Sequence, residues 1–171
     1  MLRSLSGNRL GAEGAAALAP ALAANGGLTS INLSNNQLCG VWTDYRGQHG
    51  THTAEGITAI ADAMRMRVNG GLTVTNLLGN QLDAEAAKML AEVAKQKGIS
   101  LCGIQRDQTI ADFSNQCLGE VDAILLGSDL SQAVVTGELT NLRVLCNRIG
   151  AAGERAVRDA VKDRSGFELD L

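Results

Sequence analysis

The sequence predicts an α/β fold in which short parallel strands alternate with helices in stacked, repeated units. Three observations predict it. A phrase of eleven residues recurs at Leu28–Leu38, Leu72–Leu82 and Leu139–Ile149. A helical, alanine-rich stretch follows each copy. An asparagine occupies the ninth place of every copy, as Asn36, Asn80 and Asn147, and Asn8 stands in the same register near the start.

The strand half of each unit follows from alternation. The fourth and sixth positions are mostly apolar (Ile31 and Leu33, Leu77, Leu142 and Val144) and sit between polar neighbours, the period of a strand with one buried face. Where the chain leaves the strand, the ninth-position asparagine can bond neighbouring backbone. Asn8, Asn36, Asn80 and Asn147 are therefore expected to stack as a structural ladder that satisfies buried polar groups.

The helical half is an echo: Gly11–Leu22, Thr53–Met64, Asp83–Ala94 and Gly150–Val161 align position for position. Leu18/Leu22, Ile60/Met64 and Val157/Val161 lie four apart and share one face of their helices. Asn25-Gly-Gly27 and Asn69-Gly-Gly71 are expected to stop two of the helices with residues that accept positive φ. A weaker unit has Ile110–Leu118 as strand and turn, with Gln116 in place of the asparagine, and Glu120–Leu130 as helix. Phe167–Leu171 alternates and predicts a last short strand. The first unit, with Leu5, Asn8 and Leu10, is incomplete. The chain divides into five units of one domain over 1–171: about 1–27, 28–71, 72–107, 108–138 and 139–171.

The motif Asn-x-Leu-Gly-x-x-Gly-Ala-x-x-Leu at Asn8–Leu18, with the Leu-Thr phrases, resembles the ribonuclease-inhibitor type of leucine-rich repeat, as found in NOD-like receptors. The resemblance covers nearly the whole chain. It implies a right-handed α/β horseshoe solenoid, with parallel strands on the concave side and helices on the convex side. It implies no catalysis and points to a scaffold that binds protein; no cofactor and no metal are expected from the residues themselves.

Composition narrows the partners. A net charge of -3 argues against nucleic acid. No apolar run approaches the roughly 18 residues that a membrane span needs. Cys39, Cys102, Cys117 and Cys146 have no framework spacing and are expected as buried, reduced thiols, which suits a cytoplasmic, intracellular protein and leaves an organelle open. The Ala-rich stretch Ala15–Ala24 matches the later helices and is expected as the first repeat helix, not a targeting segment.

Spacing exposes an insertion. Leu28 to Leu72 is 44 residues, whereas Asn8 to Asn36 is 28, and the 16 extra residues fall in 39–54, between strand and helix. This stretch holds the only Trp, the only Tyr and both His of the chain: Trp42, Asp44, Tyr45, Arg46, His49 and His52. Trp, Tyr and Arg together match the composition of interaction hot spots. A mini-core of Trp42 and Tyr45 holding the loop to the body is the other reading. Zinc ligation by Cys39, Asp44, His49 and His52 lacks a Cys-x-x-Cys partner and is not expected. His49–Ala54 looks like the catalytic-His segment of subtilisin-like proteases, but the Asp and Ser motifs are missing.

Two further surfaces are candidates to meet a partner, of which the strand face reads equally as a merely solvated one. Asn32, Asn76, Asp112 and Arg143 take the fifth strand position, on the concave face, beside a stripe of Ser34, Leu78, Ser114 and Leu145 with two exposed leucines. On the first helix Ala16, Ala19, Pro20 and Ala23 are expected to face outward without charge. No polar cap precedes Met1. That edge is thus expected to be covered, by a neighbouring chain or by more repeats of a longer array. The function expected is a non-catalytic protein-interaction module, and the alternative is a structural subunit of a larger complex docked by the Ala-rich edge.

Overall fold

The computed structural model describes residues 2–67 and 71–171. Along the chain run β1 (Leu2–Ser4), α1 (Gly11–Ala24), β2 (Ser30–Asn32), β3 (Val41–Asp44), β4 (Gly47–Gly50), α2 (Glu55–Met66) and β5 (Val74–Asn76). Then follow α3 (Ala84–Lys97), β6 (Ile110–Asp112), α4 (Glu120–Leu130), the single turn α5 (Ala133–Thr136), β7 (Asn141–Arg143), α6 (Gly150–Val161) and β8 (Glu168–Asp170). The architecture is mixed α/β with parallel sheets. The stop expected at Asn69-Gly-Gly71 lies, except for Gly71, outside the described residues.

The strands form two parallel sheets. In the first, β1, β2 and β5 stand side by side, with Ile31 opposite Thr75 and Asn32 opposite Asn76. In the second, β6, β7 and β8 do the same, with Asp112 opposite Arg143. A segment absent from the sequence reading extends the first sheet. Residues 99–104 follow α3 and run beside β5: Thr75 N–H donates to the Ser100 carbonyl and Leu77 N–H to that of Leu101.

The buried apolar residues of strands and helices form one cluster from Ala15 to Val161. The second member of each four-spaced helical pair is buried in α1, α2 and α6, as Leu22, Met64 and Val161. The outward face expected for α1 is only partly so. Pro20 is exposed, but Ala19 is buried, on a stripe with Ala15 and Leu22. The reason lies at Gly56, where a Cβ would come within 2.7 Å of the Ala12 carbonyl. Glycine there lets α2 press close against α1.

The asparagines bond in two runs. Asn36 donates to the carbonyls of Leu5 and Leu33, and its Oδ1 accepts from the Asn8 N–H. Asn80 donates to Leu33 and Leu77, and its Oδ1 accepts from the Asn36 N–H at 2.8 Å. Asn147 donates to Phe113 and Val144 and accepts from Gln116 and Leu118. Between the runs the Gly79 N–H donates to Asp122 of α4.

Helix ends are completed from later units. Arg67, directly after α2, is buried and donates to the carbonyls of Leu22 and Leu28 at 2.9 Å each. Arg164, after α6, does the same for Thr136 and Leu139 while its guanidinium lies over the Phe167 ring. Both satisfy carbonyls that a helix or turn leaves open.

Asp129 of α4 is fully buried. Its carboxylate accepts from the Ser100 hydroxyl and from the amides of Leu101 and Cys102, which ties α4 to the segment beside β5. Burial pushes its pKa up to about 6 against the pull of these bonds. No helix among the described residues is long and apolar enough to cross a membrane.

Candidate functional site: the hairpin and the turn edge

The insertion is a hairpin rather than a loose loop. β3 and β4 pair antiparallel, with Trp42 opposite His49 and Asp44 opposite Gly47, so Tyr45 and Arg46 form the tip. Its base is built for glycine. Gly50 has φ +85, and a Cβ there would sit 2.1 Å from the Gly40 carbonyl and 2.9 Å from the Trp42 ring. At the tip the Arg46 N–H donates to Asp44 Oδ1, closing the turn through the side chain.

The hairpin orders its own side chains. The rings of Trp42 and His49 stack with centroids 5.6 Å apart, and His49 Nε2 lies 2.9 Å from Asp44 Oδ1. The His49 hydrogen bond is the main reason the Asp44 carboxyl is held below its ordinary range. Trp42 and Tyr45 do not form a mini-core. Trp42 lies against His49 with 40 % of its surface open, and Tyr45 is 87 % exposed beneath the Arg46 guanidinium, 5.2 Å from its ring centre. Trp42 lies on β3 and stacks on its cross-strand partner His49, whereas Tyr45 sits in the turn itself beside Arg46.

His52 stands apart from this group. Its Nε2 is 3.4 Å from Asp83, the residue that caps α3 by accepting from the Ala86 N–H. Cys39 is buried, and its thiol is pushed up to about 11 by burial. Among the described residues no three His, Cys, Asp or Glu side chains are grouped to hold a metal ion. The thiol expectation divides: Cys39 and Cys102 are buried, whereas Cys117 and Cys146 are exposed, because both sit on the outer rim of a turn; all four are free.

A polar trough runs beside the hairpin along the turns that leave the strands. One cleft of 560 Å³ is lined by Arg9, Gln37, Trp42 and others, and a second of 640 Å³ by Cys117, Glu120, Arg148 and others. Asn35, Thr43, Asp44, Gly79 and Gln81 belong to both, so the two are continuous. Arg9, Gln37, Gln81 and Cys117 occupy the same place in successive turns, each just before a leucine. Each has left-handed φ, between 52 and 60.

The strand-face residues are differently employed. Asn32 accepts from the Ser34 N–H and hydroxyl, Asn76 from the Leu78 N–H, and Asp112 from the Ser114 N–H. Arg143 lies 3.3 Å from Asp170 of β8. Leu145 is exposed, but the expectation of an exposed Leu78 is overturned: it is 2 % exposed. It belongs to the apolar cluster with Cys102 and Ile104 of the segment beside β5, the segment that the sequence reading passed over. Asp129 was missed too. Its signal was available, since Leu125 and Asp129 repeat the four-residue spacing with an acid in the second, buried place.

Compared with known families and with curated proteins, the chain matches no family model and no curated sequence.

Proposed function

We propose that this chain is a short leucine-rich-repeat solenoid of the ribonuclease-inhibitor kind that works as a non-catalytic protein-interaction module. The strand-to-turn asparagine bonds between successive units and the parallel pairing of repeated phrases support the solenoid reading. One observation carries the binding reading. The aromatic and basic side chains that the sequence concentrates in 39–54 stand open on an ordered hairpin, Trp42 on its face and Tyr45 with Arg46 at its tip.

This favours the hairpin and the neighbouring turns over the strand face as the proposed binding surface, since Asn32, Asn76, Asp112 and Arg143 are engaged with their own chain. Four free thiols suit the intracellular, cytoplasmic site of action proposed with it. The test is recovery of partners by wild type and by a Trp42→Ala/Tyr45→Ala double variant of equal melting temperature. Recovery reduced at least tenfold is expected, since paired aromatic hot spots contribute about 2 kcal/mol or more. Undiminished recovery rejects the hairpin as the binding site.

A second reading has its own support. An apolar hollow of 310 Å³ lies on the outer side between α1 and α2, bounded by Ala16, Pro20, Ala23 and the 69 % exposed Met66. It suits a subunit docked into a larger assembly by its Ala-rich helix. Met66→Glu would abolish such docking and leave capture through the hairpin intact.

A further inference from the structure

We infer that the trough beside the hairpin seats an extended peptide segment of the partner, with one basic side chain of that segment over Asp44. The inference rests on the protein-binding reading above and states what chemistry is bound there.

The row of turn residues carries the argument. Holding Arg9, Gln37, Gln81 and Cys117 at left-handed φ costs roughly 1 kcal/mol or more for each, since none is glycine. Left-handed φ at the same place in each turn sets Arg9, Gln37 and Gln81 in a row along the first sheet, and Cys117, from the turn that leaves β6 of the second sheet, lines the same trough beyond Gln81. In the first sheet neighbouring strands lie about 4.8 Å apart. Gln37 and Gln81 thus stand at a spacing set by neighbouring strands; the Gln81 oxygen also accepts from the Thr43 hydroxyl, which leaves its NH₂ to donate, and Asn35 adds a third carboxamide from the same wall. A carboxamide both donates and accepts, as a peptide unit does. A line of them is suited to the N–H and C=O groups of an extended main chain, which makes no hydrogen bonds of its own to satisfy them.

Charge sets the direction and the side chain. Asp44 has its Oδ1 engaged by the Arg46 N–H and His49, yet its side chain is still 41 % exposed. It belongs to both clefts and so lies in the middle, whereas Arg9 bounds one and Arg148 the other. Glu120 adds a second exposed carboxylate on the Arg148 side. Asp122, also in that wall, is not offered to a ligand: its two oxygens accept the amides of Gly79 and Gly119, and burial raises its pKa. A single cation at the centre is therefore matched, while a run of cations meets a guanidinium at either end. The open face of Trp42 closes the remaining wall and gives the neighbouring ligand residue an apolar surface.

The trough contains its own reporter. Cys117 lines it, Cys146 is exposed but is not among its lining residues, and Cys39 and Cys102 are buried. A displayed library of random octapeptides is selected on the intact chain, and the enriched peptides are synthesised. They are expected to carry one Lys or Arg near the centre. They should slow iodoacetamide labelling of Cys117 at least tenfold at saturation, with Cys146 unchanged. Gln81→Ala and Glu120→Gln should each weaken binding three- to tenfold, the range for one lost hydrogen bond or one lost charge contact. Absence of enrichment overturns the inference. So do enriched peptides that leave Cys117 labelling unaltered and bind both variants as they bind wild type. If such peptides still need Trp42 and Tyr45, the hairpin remains a binding site and only the trough is rejected.

Discussion

Thr75 and Asp129 show two ways in which a polar group survives in this interior. Thr75 takes the fourth place of its phrase, where the neighbouring units have Ile31 and Leu142, and its hydroxyl is buried without a partner among the described residues. A valine keeps the shape and removes the unpaired group, so Thr75→Val is expected to stabilise the fold by about 1 kcal/mol, read as a higher urea midpoint at unchanged slope. Asp129 is fully engaged instead, by Ser100, Leu101 and Cys102, with the Cys102 thiol as the nearest other titratable group. Its folded pKa of about 6 lies above the ordinary 3.8, so the native state holds more protons than the unfolded chain between these values. Its contribution is complete below pH about 4 and falls by roughly 2–3 kcal/mol as pH rises through about 6. Melting wild type against Asp129→Asn across pH 4–7 should show this downward slope in wild type only. The asparagine should also start lower, because its NH₂ would face the Cys102 amide.

At the scale of elements, α4, α6 and β8 occupy the spans expected from the repeated helical pattern and from the alternation in Phe167–Leu171. They were legible because four-residue spacing and alternation are local signals. The hairpin was not. Gly-Gln-His-Gly, which forms β4, contains no strand-favouring residue, and its pairing depends on glycine backbone at Gly40 and Gly50. The composition of 39–54 marked the candidate site; its geometry could not be read from residue type. The segment 99–104 was illegible for a related reason: it pairs through backbone amides and lacks the Leu-Thr opening. Gly50→Ala tests the hairpin as an element. It should part the Trp42–His49 stack and shift the emission of the single tryptophan to the red. The melting of the α/β body should change by less than about 1 kcal/mol, as for a locally opening unit.

At the scale of the whole molecule, two sheets share one apolar cluster, and α4 links them through Asp122 to the β5 turn and through Asp129 to the segment beside it. Unfolding should therefore be a single transition. Asn80→Ala, which strips carbonyls in two units of their donor, should lower its midpoint by several degrees without splitting it, a result calorimetry can decide. The arginines that close helix ends add an order in time. The Leu22 carbonyl near the end of α1 waits for a side chain 45 residues further on, and the turn before β7 waits for Arg164. A chain emerging from the ribosome thus completes the end of α1 and the turn after α5 late, from the unit that follows each. Its growing end is always the least finished part, and release before Arg67 would leave the first helix with an open end.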